Sequence, residues 1–371
     1  MEITVEEFNG LKSDEYKLYD LRSDLERSYG FIPESEQITA ENAAELTAGD
    51  KKIILYCARG IKSAEVVDEL ETKGVTAYSL KGGYIAWLMN VTEKNSDDEF
   101  CENVERDLRK KFKTKLLANF LKAIKEYDLI QAGDKIAVCI SGGKDSMLMA
   151  KLFQEVKRHG KFDFELKFVV MDPGYNTENR QIIERNAKRL KIPITVFESD
   201  IFEAVYNVDK SPCYLCARMR RGHLYTYAKS LGCNKIALGH HYDDVIETIL
   251  MGMLYAGQIQ TMMPKLKAEN FDGMELIRPM YFIREDDIKS WRDYNDLRFI
   301  QCACRFTDTC TTCNNGQNHS KRQEIKELIR ELKKTNPTIE KNLFKSVENV
   351  KLNAVIGYKQ NDVYHNFLED Y

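Results

Sequence analysis

Between residues 135 and 240 the chain alternates short apolar runs, KIAVCI, ELKFVVM, ITVFES and KIALGH, with longer stretches whose apolar residues recur every third or fourth position. Runs of that length read as buried strands and the stretches between them as helices. Their alternation predicts an α/β fold, a doubly wound parallel sheet with helices on both faces. Ligands of such folds sit at the carboxyl ends of strands, near a switch in strand order. Upstream, RKKFKTKLLANFLKAIKEYDLI spaces Leu116, Leu117, Phe120, Leu121 and Ile124 as one helical face, and Gly133 follows as a turn. Closer to the start, KIILY predicts a strand and AEVVDELETKG a helix. Between these regions TEKNSDDEFCENVERD is polar, lacks apolar periodicity and reads as a linker. The pattern divides the chain into residues 1–95, a linker over 96–111, and residues 112–371 with a cysteine-rich segment at 302–313.

Composition narrows the class. Of 371 residues, 43% are apolar and 30% charged, which excludes wholesale disorder. No stretch approaches the roughly 18 apolar residues of a membrane span, and MEITVEEFNGLK lacks the basic start and apolar core of a leader. The expected address is therefore cytoplasmic, with no membrane partner. In that reducing setting the ten cysteines are read as metal ligands, sulfur chemistry or core residues rather than disulfides. The net charge of −3 hides an asymmetry: residues 1–95 hold 11 basic and 18 acidic residues, the remainder 44 and 40. A mildly basic larger part suits a polyanion, while the acidic part stays off it.

The stretch ISGGKDS follows the run KIAVC and opens a helical segment. Gly142 and Gly143 let the backbone turn sharply and bring N–H groups close to a ligand. The helix starting near Asp145 adds its positive end, a combination suited to phosphate. Ser141 and Ser146 can donate hydrogen bonds, Lys144 supplies charge, and Asp145 can help hold Mg2+. The spacing is not that of a Walker A loop. SGGKDS instead resembles the PP-loop of the ATP pyrophosphatases, which implies binding of the β,γ-pyrophosphate of ATP and cleavage between the α and β phosphates.

Cys213 and Cys216 form C-x-x-C at the start of another helical segment, where thiolates are favoured and two sulfurs can face one metal. Cys302 is a third candidate; three thiolates would suit an iron–sulfur cluster with one open iron. From about Phe112 to Ser346 the chain resembles the TtcA-type tRNA 2-thiocytidine synthetases. The matching pieces are SGGKDS, the segment from Pro212 to Gly222, ALGHHYDD, RPMYFIREDDI and the late cysteine. That resemblance implies a 4Fe-4S cluster on Cys213, Cys216 and Cys302, with Zn2+ the alternative at these cysteines. The family usually has C-x-x-C at the late position, whereas here Cys302, Cys304, Cys310 and Cys313 stand in QCACRFTDTCTTCNN. Cys304 thus competes with Cys302, and the four late cysteines could hold a zinc of their own. Cys139 and Cys233 read as core residues. The resemblance also implies that His241 and Asp244, or Asp243, assist Mg2+ or substrate, and that Met171 and Asp172 lie where the fold accepts adenine. The bland alternative for the aspartates is a helix cap.

In the acidic part, Cys57 follows KIILY and opens CARGIKS before a helix. Converging N–H groups and the helix dipole favour its thiolate. A cysteine phosphatase would carry Arg six residues after the Cys, where this chain has Ser63. The loop instead resembles that of rhodanese domains, as do YDLRSDLERSYGFIPES and LKGGYIAW. The resemblance implies persulfide transfer at Cys57, with Arg59, Gly60, Lys62 and Ser63 forming the persulfide loop; Asp20 and Arg22 read either as an ion pair supporting that loop or as a simple structural pair.

Together these readings predict a tRNA sulfurtransferase in which ATP adenylates a base, with Cys57, Lys144 and Asp145 as the catalytic residues. A persulfide on Cys57, loaded by a cysteine desulfurase or thiosulfate and brought close by the linker, supplies sulfur. Arg218, Arg220 and Arg221, with RKKFKTK, are the candidate contacts to tRNA. Members of this kind often pair as homodimers. The alternatives are a PP-loop sulfurtransferase acting on uridine or a small molecule, and a non-catalytic sulfur or redox sensor.

Overall fold

A computed structural model describes residues 1–94, 98–160, 163–199, 201, 212–300 and 321–369; for residues 92–94 and 212–218 it describes the backbone alone. Two parallel sheets organise it. The first contains β1 (Glu2–Ile3), β2 (Tyr16–Asp20), β3 (Glu36–Gln37), β4 (Lys52–Tyr56) and β5 (Ala77–Leu80) in the order β1-β5-β4-β2-β3. Its central strand, β4, is apolar from Ile53 to Tyr56 and ends directly before Cys57. Strands buried on both faces can be continuously apolar, which explains the unbroken KIILY.

The second sheet contains β6 (Lys135–Ile140), β7 (Glu165–Asp172), β8 (Ile194–Glu198), β9 (Lys235–Ala237), β10 (Lys265–Lys267) and β11 (Glu275–Ile277). Their order is β10-β11-β9-β6-β7-β8, with only the edge strand β10 antiparallel to its neighbour among the described strands. The α/β doubly wound expectation therefore holds. Strand β6 lies between β7 and β9, so the connections leave it in opposite directions, the switch in strand order at whose carboxyl end folds of this kind form their ligand crevice. The Gly-Gly turn occupies that end.

The junction between the sheets differs from a polar linker. Residues Gly83–Lys94 and Asp98–Arg109 are helices, and the second buries Cys101, Val104, Glu105 and Leu108. Glu105 is buried because Lys151 Nζ stands 2.6 Å from its carboxylate, so a polar letter in the sequence occupies an inward position. A continuous apolar cluster runs from Ile3, Phe8, Trp87 and Leu88 of the first unit through Val104, Leu116 and Phe120 to Met147 of the second. The basic stretch RKKFKTK is tied down in part: Arg109 Nη1 donates to Glu155 at 3.0 Å and Lys115 pairs with Asp287 at 2.9 Å. Lys111 Nζ lies 3.2 Å from the Tyr294 ring centroid. Of the predicted helical stripe, Leu116, Phe120 and Ile124 are buried, while Leu121 faces out. No helix among the described residues is long and apolar enough to cross a membrane.

Candidate active site

The turn after β6 works only with glycine at its first position. Gly142 has φ +84°, and a β-carbon there would lie 2.4 Å from Ile183 Cγ1. Gly143 then takes the extended N-cap conformation, and the helix Lys144–His159 begins. Ser146 Oγ accepts from Ser141 N at 3.1 Å and donates to Gly143 O at 3.0 Å, so this hydroxyl fixes the turn's shape. The unpaired N–H groups of the first helical turn face the crevice with the positive helix end.

Lys144 is 3% exposed and pairs with Asp145 Oδ2 and Glu285 Oε1, each at 3.2 Å. Burial alone would lower its pKa, but the two carboxylates overcome that and hold it above the ordinary lysine range. Burial likewise opposes ionisation of Glu285, yet Lys144, Lys326 and Lys289 keep its carboxyl well below the usual range. At neutral pH this is a charged, water-poor cluster.

The opposite wall comes from the segment after β9. A β-carbon on Gly239 would lie 3.3 Å from Ser146 N, so the two loops nearly touch. His241 N donates to Asp244 Oδ2 at 3.0 Å, capping the helix Tyr242–Ala256. His241 Nε2 stands 3.9 Å from Asp145 Oδ1 and 3.5 Å from Asp244 Oδ2. Asp244 Oδ1 accepts from Arg322 at 2.9 Å, and Asp243 accepts from Arg284 and from Glu285 N. Both aspartates are thus held by protein donors, Asp244 at the cap of its own helix and Asp243 by Arg284 and the N–H of Glu285. Asp145 Oδ1 is different: it is buried without a hydrogen-bond partner. A lone carboxylate oxygen beside a glycine turn and a helix N-terminus fits Mg2+, which typically takes one or two carboxylates plus phosphates and water. Among the described residues no group of three or more His, Cys, Asp or Glu is arranged to hold a metal by itself.

Other candidates fall in different surroundings. Met171 is buried beside Ile201, and Asp172 Oδ1 accepts from Gly174 N at 2.9 Å and Tyr175 N at 2.6 Å, shaping the turn after β7. Arg220 is half-buried and Arg221 exposed on the helix Pro212–Ser230, whose first turns carry positions 213 and 216. The side chains of Cys213, Cys216 and Arg218, and the whole 301–320 segment with Cys302, Cys304, Cys310 and Cys313, lie outside the described residues. Cys139 and Cys233 are core residues, with burial pushing the Cys139 thiol up to about 12. Glu285, Lys326 and Arg322 were not anticipated. Glu285 lies within RPMYFIREDDI, a motif visible in the sequence, but its partner Lys144 is 141 positions away.

The cysteine loop of the first unit is equally constrained. Cys57 Sγ receives a hydrogen bond from Gly60 N at 3.1 Å and lies 3.6 Å from Ser63 Oγ. Gly60, at φ +88°, caps the helix Ile61–Thr72. Gly83 packs so closely that a β-carbon would lie 2.4 Å from Cys57 O, and Tyr84 N donates to that oxygen at 2.9 Å. LKGGYIAW therefore clamps the loop from behind. Arg59 is half-buried and Lys62 exposed at its rim. Behind it, Asp20 accepts from Arg22 Nε at 3.0 Å, Arg22 Nη2 at 2.8 Å and Tyr56 Oη at 2.7 Å.

A glycine turn at the switch point of a parallel sheet, with a buried lysine and an aspartate facing one spot, defines a PP-loop nucleotide-binding enzyme carrying a rhodanese-like domain. The PP-loop domain family matches residues 108–309 and the rhodanese-like domain family residues 4–90. The chain is 34% identical over 232 residues to the tRNA-cytidine(32) 2-sulfurtransferase of Citrifermentans bemidjiense, covering 62% of this chain and 88% of that one. It is 33% identical over 253 residues to the protein of the same name from Coxiella burnetii, covering 67% and 95%. Among solved structures it is similar to the U34-tRNA thiolase NcsA of Methanococcus maripaludis with its 4Fe-4S cluster, at 21% identity and a TM-score of 0.49, covering 63% and 79%. The chain belongs to the PP-loop family of tRNA-cytidine(32) 2-sulfurtransferases.

Proposed function

We propose that this enzyme replaces the 2-oxygen of a tRNA cytidine with sulfur at the expense of ATP, and that Cys57 carries the sulfur as a persulfide. The observation that carries the reading is the convergence of Lys144 and the unpartnered Asp145 Oδ1 on the turn at the carboxyl end of β6. Attack of the cytosine O2 on the α-phosphate expels pyrophosphate. The charge that develops on the leaving group meets Lys144 and the N–H groups of the turn, already oriented before reaction. Asp145 would hold Mg2+ against the same phosphates. An external thiol then releases the outer sulfur of the persulfide as sulfide, itself ending in a disulfide with Cys57 that a second thiol reopens, and that sulfide displaces AMP from the activated carbon.

A 4Fe-4S cluster, when held by Cys213, Cys216 and Cys302, would supply an open iron for sulfide; Zn2+ is the alternative there, and Cys304 competes for the third position. Gly60 N–H and Ser63 Oγ beside Cys57 Sγ favour negative charge on sulfur, which a persulfide donor needs. Thiosulfate or a cysteine desulfurase would load it. Arg221, with Arg218 and Arg220, is the proposed contact to tRNA phosphate.

The test is anaerobic incubation of the full chain with unmodified tRNA, ATP, Mg2+, a thiol reductant and either thiosulfate or sulfide, read by nucleoside mass spectrometry and AMP release. The expected product is 2-thiocytidine with matching AMP. Cys57→Ser lowers product several-fold with thiosulfate and leaves it unchanged with sulfide. Thiolated uridine without thiocytidine would refute the base assignment, and unchanged turnover of Cys57→Ser with thiosulfate would refute the relay.

A further inference from the structure

The rhodanese-like unit reaches into the nucleotide site of the other unit. Its segment Ser28–Gly30 follows the short helix Asp24–Ser28, and Arg292 Nη1 of the PP-loop unit donates to Ser28 O at 2.8 Å. The next residue, Tyr29, is half-buried, and Lys144 Nζ stands 5.2 Å from its ring centroid. Its hydroxyl shares the surroundings of Lys144, Lys326, Asp145 and Glu285, and burial raises its pKa, so it stays neutral among those charges. Gly30 then passes so close to Tyr84 that a β-carbon would lie 2.6 Å from the phenol oxygen, and Gly30 O accepts from Arg22 Nη2 at 3.0 Å. The segment is thus fixed on one side by Arg22 and Tyr84, behind the Cys57 loop, and on the other by Arg292.

We infer that Tyr29 is a positioning residue for ATP: its ring forms the wall that holds and desolvates the Lys144 ammonium, so the rhodanese-like unit completes the pyrophosphate seat. This rests on the reading that Lys144 meets the triphosphate. When phosphate arrives, one of the two carboxylates on Lys144 gives way, whereas the neutral ring remains. A cation against an aromatic face in a site shielded from water binds its counter-ion more strongly than a solvated one. Because the ring belongs to the sulfur-carrying unit, ATP binding and docking of that unit are linked, and the linkage is reciprocal.

The experiment measures the dissociation constant of a non-hydrolysable ATP analogue on the full chain, so that turnover does not enter. Tyr29→Ala is expected to weaken binding about fivefold, the scale of one cation–π contact, while Tyr29→Phe keeps the ring and stays within about twofold of the parent. Arg292→Ala, which frees the segment without touching Tyr29 or Lys144, weakens binding in the same direction, and the double variant falls short of the product of the two effects. Lys144→Ala separates the two layers of the argument. If it leaves affinity unchanged, the reading of the phosphate seat fails and the inference with it. If Lys144→Ala weakens binding but Tyr29→Ala leaves it unchanged or tightens it, the seat stands and the role of Tyr29 is overturned. Equal losses for Tyr29→Phe and Tyr29→Ala also overturn it, because the hydroxyl rather than the ring would then matter.

Discussion

Replacing Gly142 with alanine tests the geometry of the phosphate turn against a built-in control one residue away. At φ +84° a β-carbon costs about 1–2 kcal/mol in backbone strain. It would also lie 2.4 Å from Ile183 Cγ1 and 3.1 Å from Ile300 Cδ1, both buried side chains with little room to retreat. Overpacking of that kind adds about 1–3 kcal/mol, giving a total of about 2–5 kcal/mol. Gly143 differs in both respects: it is extended at φ −80° and ψ 165°, and its nearest atoms would be 3.8 Å from a new β-carbon. Gly143→Ala should therefore be neutral, or stabilising by about 0.4–1 kcal/mol through the unfolded chain. Urea unfolding followed by fluorescence of the only two tryptophans, Trp87 in one unit and Trp291 in the other, reports both halves. Indistinguishable midpoints for the two variants would refute the strain and packing argument.

Two further perturbations address buried charge. Glu247 is 2% exposed, and burial pushes its pKa up to about 7 although Arg322 and Lys326 stand 3.5 and 3.6 Å away. The folded chain therefore retains a proton that the unfolded chain sheds. That stabilisation is complete below the unfolded value of 4.5 and is lost as pH rises through 7. Glu247→Gln should be as stable as the parent at pH 4 and more stable by up to about 3 kcal/mol at pH 8; parallel stability–pH curves would contradict this. Asp20→Asn leaves the buried Arg22 guanidinium without its bidentate partner and should cost about 3–5 kcal/mol, visible in the Trp87 signal because Arg22 lies over Tyr84, which stacks on Trp87. A loss below about 1 kcal/mol would show that the asparagine oxygen or water satisfies the Arg22 guanidinium.

The parts of the fold that could be read from the sequence are those specified locally. KIAVCI and ELKFVVM declare themselves as buried strands and ITVFES as a strand, though at the sheet edge it is only half-buried, and the turn Ser141–Ser146 carries its geometry in two adjacent glycines. The helix Asp98–Arg109 escaped because its inward stripe includes Glu105, acceptable there only through Lys151 and Arg158, which lie more than forty positions away. Strands β1, β10 and β11 have two or three residues each, too short for an alternation to register. The same distinction governs the site. Lys144 and Asp145 announce themselves by motif, whereas Tyr29, Glu285 and the pair Arg322 and Lys326 reach the site from three separate regions of the chain, a tertiary coincidence that no local pattern encodes.

The apolar cluster that crosses from Trp87 and Leu88 to Val104 and Leu108 has a consequence for how this polypeptide can be cut or rearranged. A fragment ending near residue 95 would bare greasy surface that its partner normally covers, and so would the complementary piece. Each would tend to self-associate rather than dissolve as a tidy module. Heat should melt the halves together, and any lineage that separates them into two genes would have to repaint that seam with polar side chains.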